Sequence, residues 1–257
     1  MFEMEDYPIR PKTERPVDPS LLDFHCPIIS VRDPDAPRLA ADVMALGGIV
    51  VYPTETSYAL GCSGLDKGAV ARVYAIKCRD KSKPLPLIMS DARMVAKFAV
   101  STPAQKRLVE KFMPGPLTIA SKKRVAIPAA GKAKTIAFRI PSIEFARKTS
   151  AILGAPIVST SANLSGEAAV YDIGQIVELF ARKADLIVDA GNLSKVPAST
   201  IVCLQGVPKI LRDGPISNKD VLAVASGKPV GKKAPKKKPH SKENKKTTKQ
   251  KPKARKK

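Results

Sequence analysis

The chain has 257 residues, 44% of them hydrophobic, enough for one large α/β domain with a sizeable core. Its net charge of +22 is uneven: residues 226–257 hold 15 Lys or Arg and one acid and so carry +14, leaving +8 on residues 1–225. No apolar run reaches the ~18 residues of a membrane helix, the four cysteines lack CxxC spacing, and the two histidines, His25 and His240, leave almost no basis for a zinc site or a Ser-His-Asp triad.

In chain order, residues 1–30 read as an arm. Pro8, Pro11, Pro16, Pro19 and Pro27 break any helix, and the polar N-terminus is unlike a signal peptide. Order is expected to begin in the apolar run from Phe24 to Val31. Residues 33–46 have Leu39, Val43 and Leu46 at helical spacing, with Gly47-Gly48 as a stop. Residues 49–52 form a buried strand ended by Pro53. A helix over 66–79 starts at the cap Asp66 and puts Val70, Val73, Tyr74 and Lys77 on one face. Strands are predicted over 85–89, 117–121, 135–140, 156–160, 186–189, 200–204 and 209–211. Further helices are predicted over 103–112, 143–153, 171–182 and 218–225. This alternation predicts an α/β domain over 31–225, with a twisted, mixed, open sheet. Residues 226–257 are too poor in apolar side chains to bury a core and are expected to be a disordered Lys-rich tail.

Ligand sites in open α/β sheets gather beyond the strands' carboxyl ends. The residues there are Thr54 to Tyr58, then Ser159 to Asn163, Arg139 and Arg212, with Lys77, Arg79, Lys81 and Lys83 near the end of the 66–79 helix. Hydroxyls and fixed cations suit an anionic ligand such as a nucleotide phosphate or a carboxylate. Neither a GxxxxGK[ST] nor a GxGxxG loop is present. Each feature also has a plain structural reading. The Lys/Arg cluster can solvate a helix end, Ser159 to Ser161 can cap the next helix, and Thr54 and Thr56 can be turn residues. Cys62 and Cys78 read as packing residues rather than nucleophiles. Arg139 is harder to explain structurally, because Phe138, Ile140 and Pro141 surround it and an unpaired buried cation is costly.

The runs GGIVVYPTETSYALG (47–61), KCRDKSKPL (77–85), GPLT (115–118), FRIP (138–141), STSANLSG (159–166) and ILRDG (210–214) resemble, in order, the YrdC-like family over roughly residues 35–220. The resemblance implies a twisted α/β fold with a deep, positively charged cavity. It also implies a threonylcarbamoyl-AMP synthase of the single-domain type, a nucleotidyltransferase. Such an enzyme makes threonylcarbamoyl-adenylate and pyrophosphate from L-threonine, bicarbonate and ATP. A separate threonylcarbamoyl transferase then modifies the tRNA adenosine next to the anticodon, which implies a cytoplasmic setting.

By the same resemblance, Lys77 and Arg79 are the catalytic pair, and with Lys83 they neutralise the ATP phosphates and the leaving pyrophosphate. Ser159, Ser161 and Asn163 hold the nucleotide, and Arg212 closes over it. Thr54, Thr118 and Arg139 grip threonine, with Arg139 on its carboxylate. Mg2+ is expected to arrive bound through the ATP phosphates, with no metal site of the protein's own. The chain departs from the family pattern in three places. Asp80 stands where proline is common, Cys78 where the residue is often glycine, and Ala137-Phe138 replace a smaller pair before Arg139, with Phe138 expected to narrow the pocket. Some longer relatives carry an extra C-terminal domain, and here the basic tail is reached instead. That tail is expected to attract tRNA or other RNA through phosphate contacts alone. Two rival readings are a non-catalytic, double-stranded-RNA- or tRNA-binding protein of the same fold, and an enzyme using another carbamoyl-adenylate, as in hydrogenase-maturation proteins.

Overall fold

A computed structural model describes residues 26–228. The predicted 1–30 arm lies outside the described residues up to residue 25, and the 226–257 tail does so from residue 229. The first element among the described residues falls inside the Phe24–Val31 run: Ile28–Ser30, assigned to the arm from its prolines, forms strand β1, parallel to β9 (Leu186–Asp189). The apolar patterns yield helices α1 (Ala36–Ala45), α2 (Lys67–Ile76), α4 (Pro103–Phe112), α5 (Glu144–Leu153), α6 (Ile173–Phe180) and α7 (Asn218–Ala225). An unforeseen helix, α3 (Ala92–Phe98), starts at Asp91, whose side chain accepts from the Met94 amide. Asp66, Thr102 and Asp172 cap α2, α4 and α6 in the same way.

The strands divide the expected mixed sheet in two. The first has the order β1, β9, β2 (Val50–Pro53), β3 (Tyr58–Gly61) and β8 (Thr160–Ser161). The second has the order β11 (Lys209–Arg212), β10 (Thr200–Cys203), β5 (Leu117–Lys122), β6 (Thr135–Arg139), β4 (Leu87–Ile88) and β7 (Ile157–Val158). Both mix parallel and antiparallel pairs. The predicted 156–160 strand breaks at Ser159, where the chain leaves the second sheet and joins the first. The Val158 amide bonds the Cys62 carbonyl at 2.8 Å and the Ser159 amide bonds Pro86 at 2.9 Å, so this crossing is stitched to both sides. β3 was unforeseen because it follows so closely on the turn at residues 54–57; it pairs antiparallel with β2 as a hairpin.

One large apolar cluster, including Val51, Leu60, Met89, Ile119 and Phe138, lies under both sheets. A smaller one joins α1 and α5 to Val50, Tyr52 and Val188. Side chains alternate across each strand. In β6, Ile136 and Phe138 enter the core while Ala137 and Arg139 line a cavity. The expectation that Phe138 narrows the pocket is therefore corrected: its ring is fully buried on the opposite face. Among the described residues, no helix is long and apolar enough to cross a membrane.

Candidate active site

The cavity has a volume of about 500 Å³ and takes side chains from both sheets and the loops between them. That is a size suited to a small-molecule ligand. Eight of the ten predicted site residues line it: Thr54, Arg79, Thr118, Arg139, Ser159, Ser161, Asn163 and Arg212. Three arginines and five side chains with a hydroxyl or amide thus meet across a fold that separates them by up to 158 positions.

The other two, Lys77 and Lys83, do not line it. Lys83 is exposed and its ammonium does not reach the cavity wall. Its carbonyl serves the site instead, accepting from Tyr74 Oη at 2.9 Å and from Arg79 Nε at 3.3 Å. A second Arg79 bond, Nη2 to the Pro84 carbonyl at 3.2 Å, fixes the guanidinium. Lys77 is 2% exposed and lies behind the cavity wall. Its Nζ donates to the Ser161 carbonyl at 2.6 Å, the Asn163 carbonyl at 2.6 Å and Asn163 Oδ1 at 3.0 Å. Burial, reinforced by the charge of Arg79, lowers its pKa to about 8. In this structure Lys77 bolts the end of α2 to the Ser161–Asn163 loop.

That loop is further closed by Ser161 Oγ to Asn163 Oδ1 at 2.5 Å and by Asn163 Nδ2 to the Glu167 carbonyl at 2.6 Å. Thr54 is both a turn residue and a lining residue. Its hydroxyl donates to the Ser57 carbonyl at 2.8 Å and accepts from the Thr56 and Ser57 amides. Arg212 donates through Nε to the Ser199 carbonyl and through Nη2 to Ser199 Oγ, each at 3.0 Å. Ser199 Oγ also meets Thr118 Oγ1 at 2.9 Å. Partial burial, with Arg139 nearby, lowers the Arg212 pKa without discharging it. The exposed Asp80 carboxylate turns onto Ser82, accepting from its amide at 2.8 Å and its hydroxyl at 2.6 Å.

Two contributors were missed. Ser199 precedes an ordinary strand and carries no pattern of its own. Glu55 was read only as part of the loop after β2, yet its Oε1 accepts from Arg139 Nη1 at 2.7 Å. Among the described residues, no group of three or more His, Cys, Asp or Glu side chains is arranged to hold a metal ion. Glu167 supplies the one carboxylate in the lining.

The Sua5/YciO/YrdC family model, described as telomere recombination, matches residues 42–214, two thirds of the chain. The chain belongs to that family. Its relatives include the threonylcarbamoyl-AMP synthase of Pyrococcus abyssi, 32% identical over 188 residues, covering 72% of this chain and 55% of the synthase. YciO of Escherichia coli, named only as uncharacterized, is 31% identical over 179 residues, covering 68% of this chain and 87% of YciO. The P. abyssi Sua5 structure complexed with L-threonine superposes with a TM-score of 0.71 at 30% identity, over 77% of this chain and 60% of Sua5. The E. coli YciO structure gives 0.67 at 28% identity, over 74% of this chain and 96% of YciO. The chain thus spans little more than half of the archaeal synthase and nearly all of YciO.

Proposed function

We propose that this member of the family is a threonylcarbamoyl-AMP synthase, condensing L-threonine, bicarbonate and ATP into threonylcarbamoyl-adenylate with release of water and pyrophosphate. The observation that carries the reading is the gathering of Arg79, Arg139 and Arg212 around one nucleotide-sized cavity with the Ser161–Asn163 loop. A triphosphate and an amino-acid carboxylate repel each other, so cations are needed on both sides of the reacting atoms. Arg79 and Arg212 suit the phosphates, and Arg139, with Thr54 and Thr118 in the same lining, suits the amino acid. The carbamate of threonine would attack the α-phosphorus in line, and orientation in the cavity lowers that barrier. The lining, rich in arginine and hydroxyls with a single carboxylate, is a poor set of ligands for a hard cation. Magnesium would therefore be held by the phosphates and water, where it offsets developing charge.

The test is pyrophosphate release from ATP by the full chain, with threonine and bicarbonate omitted singly, beside Arg212→Gln. Arg212 is exposed and its side chain bonds Ser199, so replacing that side chain should spare the strand pairing and the fold. Release that requires both co-substrates and falls at least tenfold in the variant is the expected result. No release under any combination, with RNA binding retained, would favour the non-catalytic RNA-binding reading. The product would pass to a threonylcarbamoyl transferase acting on tRNA in the cytoplasm. The Lys-rich segment from 226 would add salt-dependent attraction to RNA, so deleting it should weaken RNA binding and leave pyrophosphate release intact.

A further inference from the structure

Glu55 stands apart from every other polar side chain near the cavity. Its Oε2 is buried and, among the described residues, is the one buried side-chain nitrogen or oxygen without a hydrogen-bond partner. Its Oε1 is committed to Arg139 Nη1 at 2.7 Å, and the two side chains are 16% and 9% exposed. Arg139 keeps Nε and Nη2 without an intramolecular partner among the described residues, the two donors a ligand carboxylate would use. Glu55 is flanked by two cavity-lining residues, Thr54 and Thr56, and the Thr54 hydroxyl holds this turn closed.

An orphaned carboxylate oxygen costs stability unless it serves something. The charges narrow what it serves. A carboxylate arriving on Arg139 comes within a few ångströms of Glu55, and two anions sharing one guanidinium out of water repel. A ligand that carries its own cation next to its carboxylate cancels that repulsion. An α-amino acid does so, with an ammonium one carbon away. A 2-hydroxy acid or a plain carboxylate does not.

We propose that Glu55 and Arg139 form a zwitterion clamp in the first complex, before the nitrogen is deprotonated and carboxylated, Arg139 taking the carboxylate of the amino-acid substrate and Glu55 Oε2 its α-ammonium. This deepens the synthase reading and rests on it. Glu55 is then the residue that makes the site specific for amino acids over their hydroxy analogues. The Thr54–Ser57 turn carries it between two cavity-lining residues, bonded to a third, Arg139.

The test is calorimetric titration of the full chain with L-threonine and with its 2-hydroxy analogue, 2,3-dihydroxybutanoate. The wild type is expected to bind threonine at least tenfold more tightly. In Glu55→Gln, which keeps the shape and loses the charge, that ratio should collapse towards one, while affinity for Mg-ATP changes less than threefold. Glu55→Asp should keep the preference for threonine. A wild type that binds both ligands equally overturns the clamp without any variant, and does so even if Glu55→Gln fails to fold. A folded Glu55→Gln with an unchanged ratio overturns it too, reducing Glu55 to a support for Arg139. In both cases threonine binding persists and the synthase reading stands. A wild type that binds no threonine overturns both.

Discussion

Lys77 and Arg139 are both buried cations beside one cavity, and the fold treats them in opposite ways. Lys77 is surrounded by neutral acceptors, two backbone carbonyls and an amide oxygen, all within 3.0 Å. Among the described residues no carboxylate bonds it, and the cost of burial shows as a pKa lowered to about 8. Arg139 is met by a carboxylate on one nitrogen and keeps two others for a visitor. A cation with every proton spent on the protein is a fastener. A cation with donors to spare and a counterion behind it is a receptor. Two motif cations, one expected from sequence at the phosphates and one at the amino acid, thus divide into one that shapes the site and one that lines the cavity.

The sharpest way to break this comparison is Lys77→Ala. It strips three buried oxygens of their donor and frees the Ser161–Asn163 loop. Each bond to a charged donor contributes about 1.5–3 kcal/mol, and truncation leaves the acceptors unpaired, so unfolding free energy should fall by about 3 kcal/mol. Pyrophosphate release should be lost with it. If activity disappears while urea denaturation is unchanged, Lys77 is a ligand-facing residue and the fastener description is wrong.

Alkaline pH tests the same contrast more finely. The Lys77 amine has a pKa of about 8 when folded and its ordinary value of 10.5 when unfolded. Between those values the unfolded chain keeps a proton that the folded chain has released, so raising pH favours the folded state. The stability gap between wild type and Lys77→Met should therefore widen from pH 8 to 10, by on the order of 1 kcal/mol per unit. Denaturation midpoints of both proteins across that range would show it, and a constant gap would mean the amine stays charged in its cage.

Much of this site was legible in the sequence, and the exceptions have physical causes. Helix and strand positions followed from apolar spacing, and residues at strand ends met at the cavity because that is where loops converge. The two lysines stand outside the lining because residue type specifies a charge and not the direction of a long side chain. Lys77 lies on the apolar face of α2, with Val70, Val73 and Tyr74, so the helical pattern carries it inward. Lys83 sits in a turn closed by Asp80, which points the ammonium out and the carbonyl in. Glu55 was passed over because its partner is 84 positions away, and no local pattern encodes a pairing made by two sheets closing on each other.

The receptor side can be tested through Ser199, which ties Arg212 to Thr118 with one hydroxyl. Ser199→Ala removes both bonds and keeps the carbonyl that holds Arg212 Nε. Mg-ATP affinity should fall three- to tenfold, about 1 kcal/mol, in equilibrium titration, with threonine affinity reduced less. An unchanged ATP affinity would mean the backbone bond alone positions Arg212.

The smallest effect lies at the hinge between fastener and receptor. Cys78 separates Lys77 from Arg79 and has φ of 49°, the left-handed region. Its amide bonds the Ala75 carbonyl at 3.1 Å and the Arg79 amide bonds the Tyr74 carbonyl at 3.0 Å. These are the paired bonds of a Schellman ending, which reverses the chain after α2 so that Lys77 turns in while Arg79 reaches the cavity. A Cβ is strained in that conformation and glycine is not, which gives a physical reason for the glycine common at this place in the family. Cys78→Gly relieves strain of about 1–2 kcal/mol but adds chain entropy worth about 0.5–1 kcal/mol, so it should raise the unfolding free energy by about 0.5 kcal/mol, seen as a higher urea midpoint, and leave the m-value and pyrophosphate release unchanged. A loss of stability instead would mean that the thiol packing, rather than the backbone reversal, decides this position, although its side chain is exposed.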